Sequence, residues 1–453
     1  MAEFLSSFSG WLWGNLLYLL LGGGFFFAVF SRFSPFRYLG HGMVLLLGKK
    51  VEQDAPGEVS HFRALCSALS GTVGMGNVAG VAVAITQGGP GAILLMGVCA
   101  LLGMATKFYT CSLAVMYRGK DENGVEQGGP MYFIREGLGE KWKPLAVLFA
   151  GCGMFGCLPL LQSNQLTQIT NTMFFEPQGW FVGSEDTRQM GNALFGLFLA
   201  VVVGLVVIGG IKRIGSVAAR LVPGMVVLYG GTSLFIILLH VDRIFPSLSL
   251  IFSDAFTGQA VAGGALGMVI VTGVRRAAFS NEAGMGTEAM AHGAARTREP
   301  IREGVVAMWG PVIDTLIMCT LTGLVLMVTD AWRSEEGDGV LLTTQAFQLA
   351  LPGVGPYLLL AGVLCLSFSS MLGFSYYVVK CGCFLFGQKA RLPVLGFYLL
   401  TIVVSAMVKM EVIINFLDIA FGLMAIPTIL SSMLLAPRVN EAARKYFAGL
   451  KTA

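Results

Sequence analysis

Ser70-Gly71-Thr72-Val73-Gly74-Met75-Gly76-Asn77-Val78-Ala79-Gly80 lies inside an apolar stretch long enough to cross a bilayer. Glycine weakens a helix, and peptide groups bared within lipid must find partners. A membrane helix opened this way offers free N–H and C=O groups to an internal cavity. Those groups suit an ion or a small polar solute. Thr72 and the backbone of Gly74, Met75 and Gly76 are the candidate contacts, and glycine at 74 and 76 allows close approach. Asn77 either adds amide contacts or locks the break. The same small residues also suit plain helix packing.

Other residues carry compatible chemistry. Leu366-Ser367-Phe368-Ser369-Ser370 sets two adjacent hydroxyls in mid-span. Hard oxygens suit a small hard cation, although serines also bond back to their own helix. Polar residues crowd positions 162 to 168, where Gln162 is the candidate substrate contact and Asn164 serves equally well as a tie between helices. Phe279, Ser280 and Asn281 are expected to face the same site, with Phe279 walling off a small side chain. Asp314, Asp418 and Lys107 are charges within apolar spans, read as helix-pairing groups. His292 is expected in water, in a loop.

The positioning elements follow from composition. The chain is 55% hydrophobic and 12% charged, against about 25% charged in soluble domains. It reads as an all-α polytopic membrane protein in contact with lipid. Apolar runs place eleven spans near 12–31, 64–86, 91–117, 144–174, 191–211, 217–240, 258–281, 303–329, 354–379, 392–409 and 411–435. With the N-terminus outside and the C-terminus in the cytoplasm, 25 of the 30 lysines and arginines fall on the inner side, Arg275 and Arg276 among them. The first apolar run lacks a basic leader and a cleavage site, so it reads as a retained span. Residues 118–143 form an inner loop and 330–352 an acidic outer linker.

Gly-Met-Gly recurs at 284–286, at the end of the sixth of the ten spans that follow the first. Five plus five, each half opened by a broken helix, is an inverted repeat. The divisions are 1–58 for the extra helix and its loop, 59–243 and 244–436 for the two repeats, and 437–453 for a cytoplasmic tail. No P-loop, metal cluster or nucleophile–base pair marks an enzyme, and the four histidines are not spaced as ligands. Nine scattered cysteines read as apolar packing residues. The small net charge of +4 gives no sign of nucleic acid as a partner. A channel would need a continuous polar pore or a ring of charges, and neither is visible.

These blocks resemble the alanine or glycine:cation symporter family, also called sodium:alanine symporters. The resemblance rests on residues 71–82, Gly88-Gly89-Pro90-Gly91-Ala92, Gly128-Gly129-Pro130-Met131-Tyr132, Gln162-Ser163-Asn164, Phe279 through Gly286, Ile313-Asp314-Thr315 and Ser375-Tyr376-Tyr377. More distantly, Val73 to Asn77 is similar to the broken first core helix of neurotransmitter:sodium symporters. The resemblance implies their fold, no organic cofactor, and sodium-coupled uptake of a small neutral amino acid into the cell. Proton coupling, or a broader range that includes serine and glutamine, is the runner-up. By analogy with the related fold, sodium lies between the first break and the eighth core helix. Ser369 and Ser370 hydroxyls and the Ser70, Val73 and Leu366 carbonyls would hold it. The chain departs from the family where Ile93-Leu94-Leu95-Met96 replaces an aromatic-rich run. Phe374, a residue expected to touch substrate, replaces a tryptophan, and Val378-Val379 replaces Gly-Glu.

Overall fold

The computed structural model describes residues 2–48, 55–256, 265–334 and 339–452. Long apolar helices dominate: α1 (Ala2–Phe30), α4 (Ala92–Met116), α5 (Glu140–Gln178), α6 (Glu185–Val207) and α7 (Gly210–Leu239) in the first part. In the second part come α11 (Pro300–Val328), α13 (Gly355–Phe386) and α15 (Met410–Thr452). Two spans are opened by their glycines. The first comprises α2 (His61–Thr72) and α3 (Gly76–Gly88), bent by 53° at the break. The second comprises α9 (Ala265–Asn281) and the short α10 (Thr287–His292).

The expected count of eleven is not reproduced. Among the described residues eight helices are long and apolar enough to cross a membrane, or nine with the bent pair. The expected spans 258–281 and 392–409 fall on α9, with 17 described residues, and α14 (Arg391–Ser405), with 15. Residues 257–264, where the first of these should begin, lie outside the described residues.

Three further expectations are corrected. Arg275 and Arg276 lie within α9, not in a loop, and both pair with Asp418 of α15. Burial there is tolerable because the carboxylate balances the guanidiniums. His292 is 1% exposed and donates to the Glu303 carboxylate at 2.5 Å. The 330–352 linker contains a packed helix, α12 (Val340–Ala350), while Glu335, Glu336 and Asp338 lie outside the described residues. An amphipathic helix, α8 (Val241–Phe256), follows α7, and its Asp254 accepts from the Gly91 N–H at 2.8 Å, at the start of α4.

The core lies where the broken spans meet their neighbours. α2 packs on α7, α13 and α10, α4 on α9 and α11, and α5 on α13 and α15. α1 lies outside this group along α4 and α15. One end of the bundle is basic, with Arg118, Lys212, Lys389 and Arg391, and carries a short hairpin of β1 (Gly119–Lys120) and β2 (Glu126–Gln127).

Candidate functional site

The first break starts where Val73 leaves helical geometry, at φ −76° and ψ 89°. The Gly74 N–H, freed from a helical ladder, donates to Asn77 Oδ1 at 2.8 Å, and Asn77 N–H donates back to the Gly74 carbonyl at 3.1 Å. Asn77 thus reaches back from the first helical turn to satisfy the freed N–H, as the third helical residue of a capping box does. Its Nδ2 donates to Asp314 Oδ1 at 2.7 Å and to the Asp314 carbonyl at 2.9 Å. Asp314, fully buried on α11, also accepts from Ser280 at 3.0 Å and Thr315 at 2.6 Å. One carboxylate therefore joins the first break to the second broken span.

The second break follows Asn281. Glu282, Gly284 and Gly286 take φ of 54°, 88° and 86°. Glycine is needed twice here, since the backbone is left-handed and a Cβ on Gly286 would stand 2.5 Å from Pro130. The Glu282 carboxylate accepts from Thr287, and Glu288 accepts from Thr110 at 3.1 Å.

Two helices, α13 and α9, close on the glycines of the first break. A Cβ on Gly74 would lie 2.2 Å from Ser370 Oγ, so the backbone rests directly on the serine pair of α13. One on Gly76 would lie 3.3 Å from Ser280 Cα and 3.7 Å from the Phe279 ring. One on Gly71 would lie 3.2 Å from the Phe374 ring and 3.3 Å from that of Tyr377. The structure therefore gathers Ser70 to Gly76 with Phe279, Ser280, Ser370 and Phe374. Gln162 is buried on α5, and its Oε1 has no hydrogen-bond partner among the described residues. Asn281 is not brought to the first break, since its side chain turns toward Gly103 of α4, 3.8 Å from that residue's Cβ position.

The oxygens at the break suit a hard cation. Ser369 and Ser370 hydroxyls both donate to the Leu366 carbonyl, at 2.9 and 3.0 Å, and Ser70 donates to the Ser67 carbonyl at 2.7 Å. A donating hydroxyl keeps its lone pairs, so these bonds leave the oxygens able to accept a cation.

Cavities open at more than one place among the described residues, one of them about 250 Å³ and lined by Asn164, Gln168, Asn171 and Lys409. A cavity of about 320 Å³ at the basic end runs in past Lys212, Gln127 and Lys380 as far as Ser375 and Tyr376, next to the rings beside Gly71. Away from that end, Phe279 packs edge-on against Phe421, with Arg276 over the Phe279 ring and paired with Asp418.

Sequence reasoning missed His61, Glu303 and Tyr377. His61 of α2 and His292 of α10 both bond Glu303 of α11, fastening the basic-end halves of both broken spans to one carboxylate. No local spacing signals a contact between residues 242 positions apart.

The whole chain, residues 1–453, matches the sodium:alanine symporter family. The chain belongs to that family. This symporter is 36% identical to the sodium/alanine symporter AgcS of Methanococcus maripaludis, over 95% of this chain and 94% of that protein. It is 32% identical to the probable sodium/glutamine symporter GlnT of Bacillus subtilis, over 96% of this chain and 88% of that one. Among solved structures it is similar to MhsT in complex with L-phenylalanine, with a TM-score of 0.62 and 13% identity, over 84% of this chain and 89% of that one. That likeness places the symporter in the neurotransmitter:sodium symporter fold. It is a multi-pass membrane transporter of amino acids, in a family of secondary transporters rather than enzymes.

Proposed function

We propose that the chain carries a small neutral amino acid, alanine or glycine, into the cell together with sodium. The observation that carries this reading is the contact of Gly74 with Ser370, which sets an opened helix against hydroxyls in a dry core. Sodium would take the Ser369 and Ser370 hydroxyls and the Ser70, Val73 and Leu366 carbonyls. The amino acid would lie beside it, on Thr72 and the backbone of Gly74 to Gly76, with Gln162, Phe279, Ser280 and Phe374 around it. A cation at the joint between break and α13 pre-forms the substrate niche, and the coupling is reciprocal. The name and identity of AgcS support sodium and alanine as this pair.

The basic end faces the cytoplasm in this reading, in keeping with the positive-inside bias. The larger cavity at that end supports an inward-facing arrangement, with Arg275, Arg276, Asp418, Phe279 and Phe421 as the closed outer side. Rocking of one repeat, 59–243, against the other, 244–436, then alternates access.

The test is uptake of labelled alanine or glycine into proteoliposomes holding the purified protein. An inward sodium gradient should drive accumulation. Equal uptake with sodium on both sides, or accumulation driven by a proton gradient alone, would overturn the sodium assignment.

A further inference from the structure

We propose that the Tyr377 hydroxyl accepts a hydrogen bond from the ammonium group of the transported amino acid. The proposal rests on the function proposed above and adds a residue to its site.

Tyr377 lies on α13 one turn beyond Phe374, and it is 1% exposed. Its hydroxyl has no hydrogen-bond partner among the described residues. Other buried tyrosines of the bundle are partnered: Tyr229 bonds Thr322 at 2.6 Å, and Tyr398 donates to the Met371 carbonyl at 2.6 Å. A buried hydroxyl left alone is costly, and phenylalanine would fill the same space without that cost. The orphaned oxygen therefore points to a partner that comes and goes.

Its position says which partner. The ring rests 3.3 Å from the Cβ position of Gly71, next to Thr72, the last residue of α2. A helix ends there with its carbonyls, the negative end of its dipole. The Phe374 ring stands beside it, 6.2 Å between centroids, and aromatic faces attract cations. Carbonyl ends and ring faces both favour positive charge, so the cationic end of a zwitterion belongs here. The carboxylate is left to the N–H groups at Gly74 to Gly76.

Tyr377→Phe removes one oxygen and keeps the ring. In proteoliposomes its KM for alanine should rise roughly tenfold to a hundredfold, the loss of a hydrogen bond to a charged group, with Vmax little changed. Its thermal midpoint without substrate should stay level or rise, while the stabilisation by alanine in sodium shrinks. Tyr398→Phe is the control, expected to lower the midpoint and leave KM alone. A wild-type KM in Tyr377→Phe overturns the proposal, and so does a substrate-free midpoint that falls as in the control. A wild-type protein that shows no sodium-dependent response to alanine overturns the proposed function and the ligand assigned here with it. A responding wild type with an unaltered variant overturns the role of Tyr377 alone.

Discussion

Gly74 has no room for a methyl group, because Ser370 Oγ would stand 2.2 Å from it. Gly74→Ala should abolish uptake, whereas Gly80→Ala, with nothing within 4 Å of its Cβ position, should transport normally. Vesicle uptake, normalised to protein inserted, checks both. Asp314 poses a different question, whether its charge or its oxygens are needed. All three side chains on it, from Asn77, Ser280 and Thr315, are uncharged. Asparagine can still accept from Asn77 and donate to the hydroxyls. Asp314→Asn should therefore fold and keep uptake within about tenfold, while Asp314→Ala strands buried donors at about 1–3 kcal/mol each and should lose both stability and uptake. A folded but inactive Asp314→Asn would show that the charge itself drives coupling. The glycines of the first break could be read from sequence because bare backbone in an apolar run is a local signal. The partner of Asn77 could not be, since Asp314 is 237 positions away.

At the scale of elements, the two broken spans are tied twice. Asp314 joins them in the core, and Glu303 joins His61 of α2 to His292 of α10 at the basic end. Removing the Glu303 carboxylate leaves both rings without their shared acceptor. Glu303→Ala should lower stability by about 3 kcal/mol, seen as a lower thermal midpoint, and Glu303→Gln by less. An unchanged midpoint for the alanine variant would show that the clamp bears no load. Elements differed in how plainly the sequence announced them. Long apolar runs and the paired Gly-Met-Gly motifs marked most of the spans and both breaks. α12 has 11 residues, too few for a span, and its acidic approach made it read as a linker. α8 was hidden by Asp242, Arg243 and Pro246. The same habit misplaced Arg275 and Arg276, since a pair of arginines reads as a loop until its counter-charge at Asp418, 142 positions from Arg276, is known.

For the whole molecule, the question is which side is open. The basic-end cavity and the paired charges around Asp418 fit the inward-facing state proposed above. Asp418→Asn leaves two guanidiniums without their counter-charge and should loosen that closure. A cysteine placed at Phe421 should then react faster with a membrane-impermeant thiol reagent added outside than the same cysteine beside an intact Asp418. An unchanged rate would place the closure elsewhere. α15 gives such motions an unusual outlet. Its 43 residues run unbroken through Pro427 and Pro437, a rod of about 65 Å against a hydrocarbon layer of about 30 Å. Its last turns stay packed on the bundle, Phe447 stacking on Tyr38 at 3.9 Å between centroids and Asn440 accepting from the Tyr109 hydroxyl, so a tilt near Asp418 would be carried to the basic end. A fluorophore on their exposed face, at Arg444, should register that movement without touching the site.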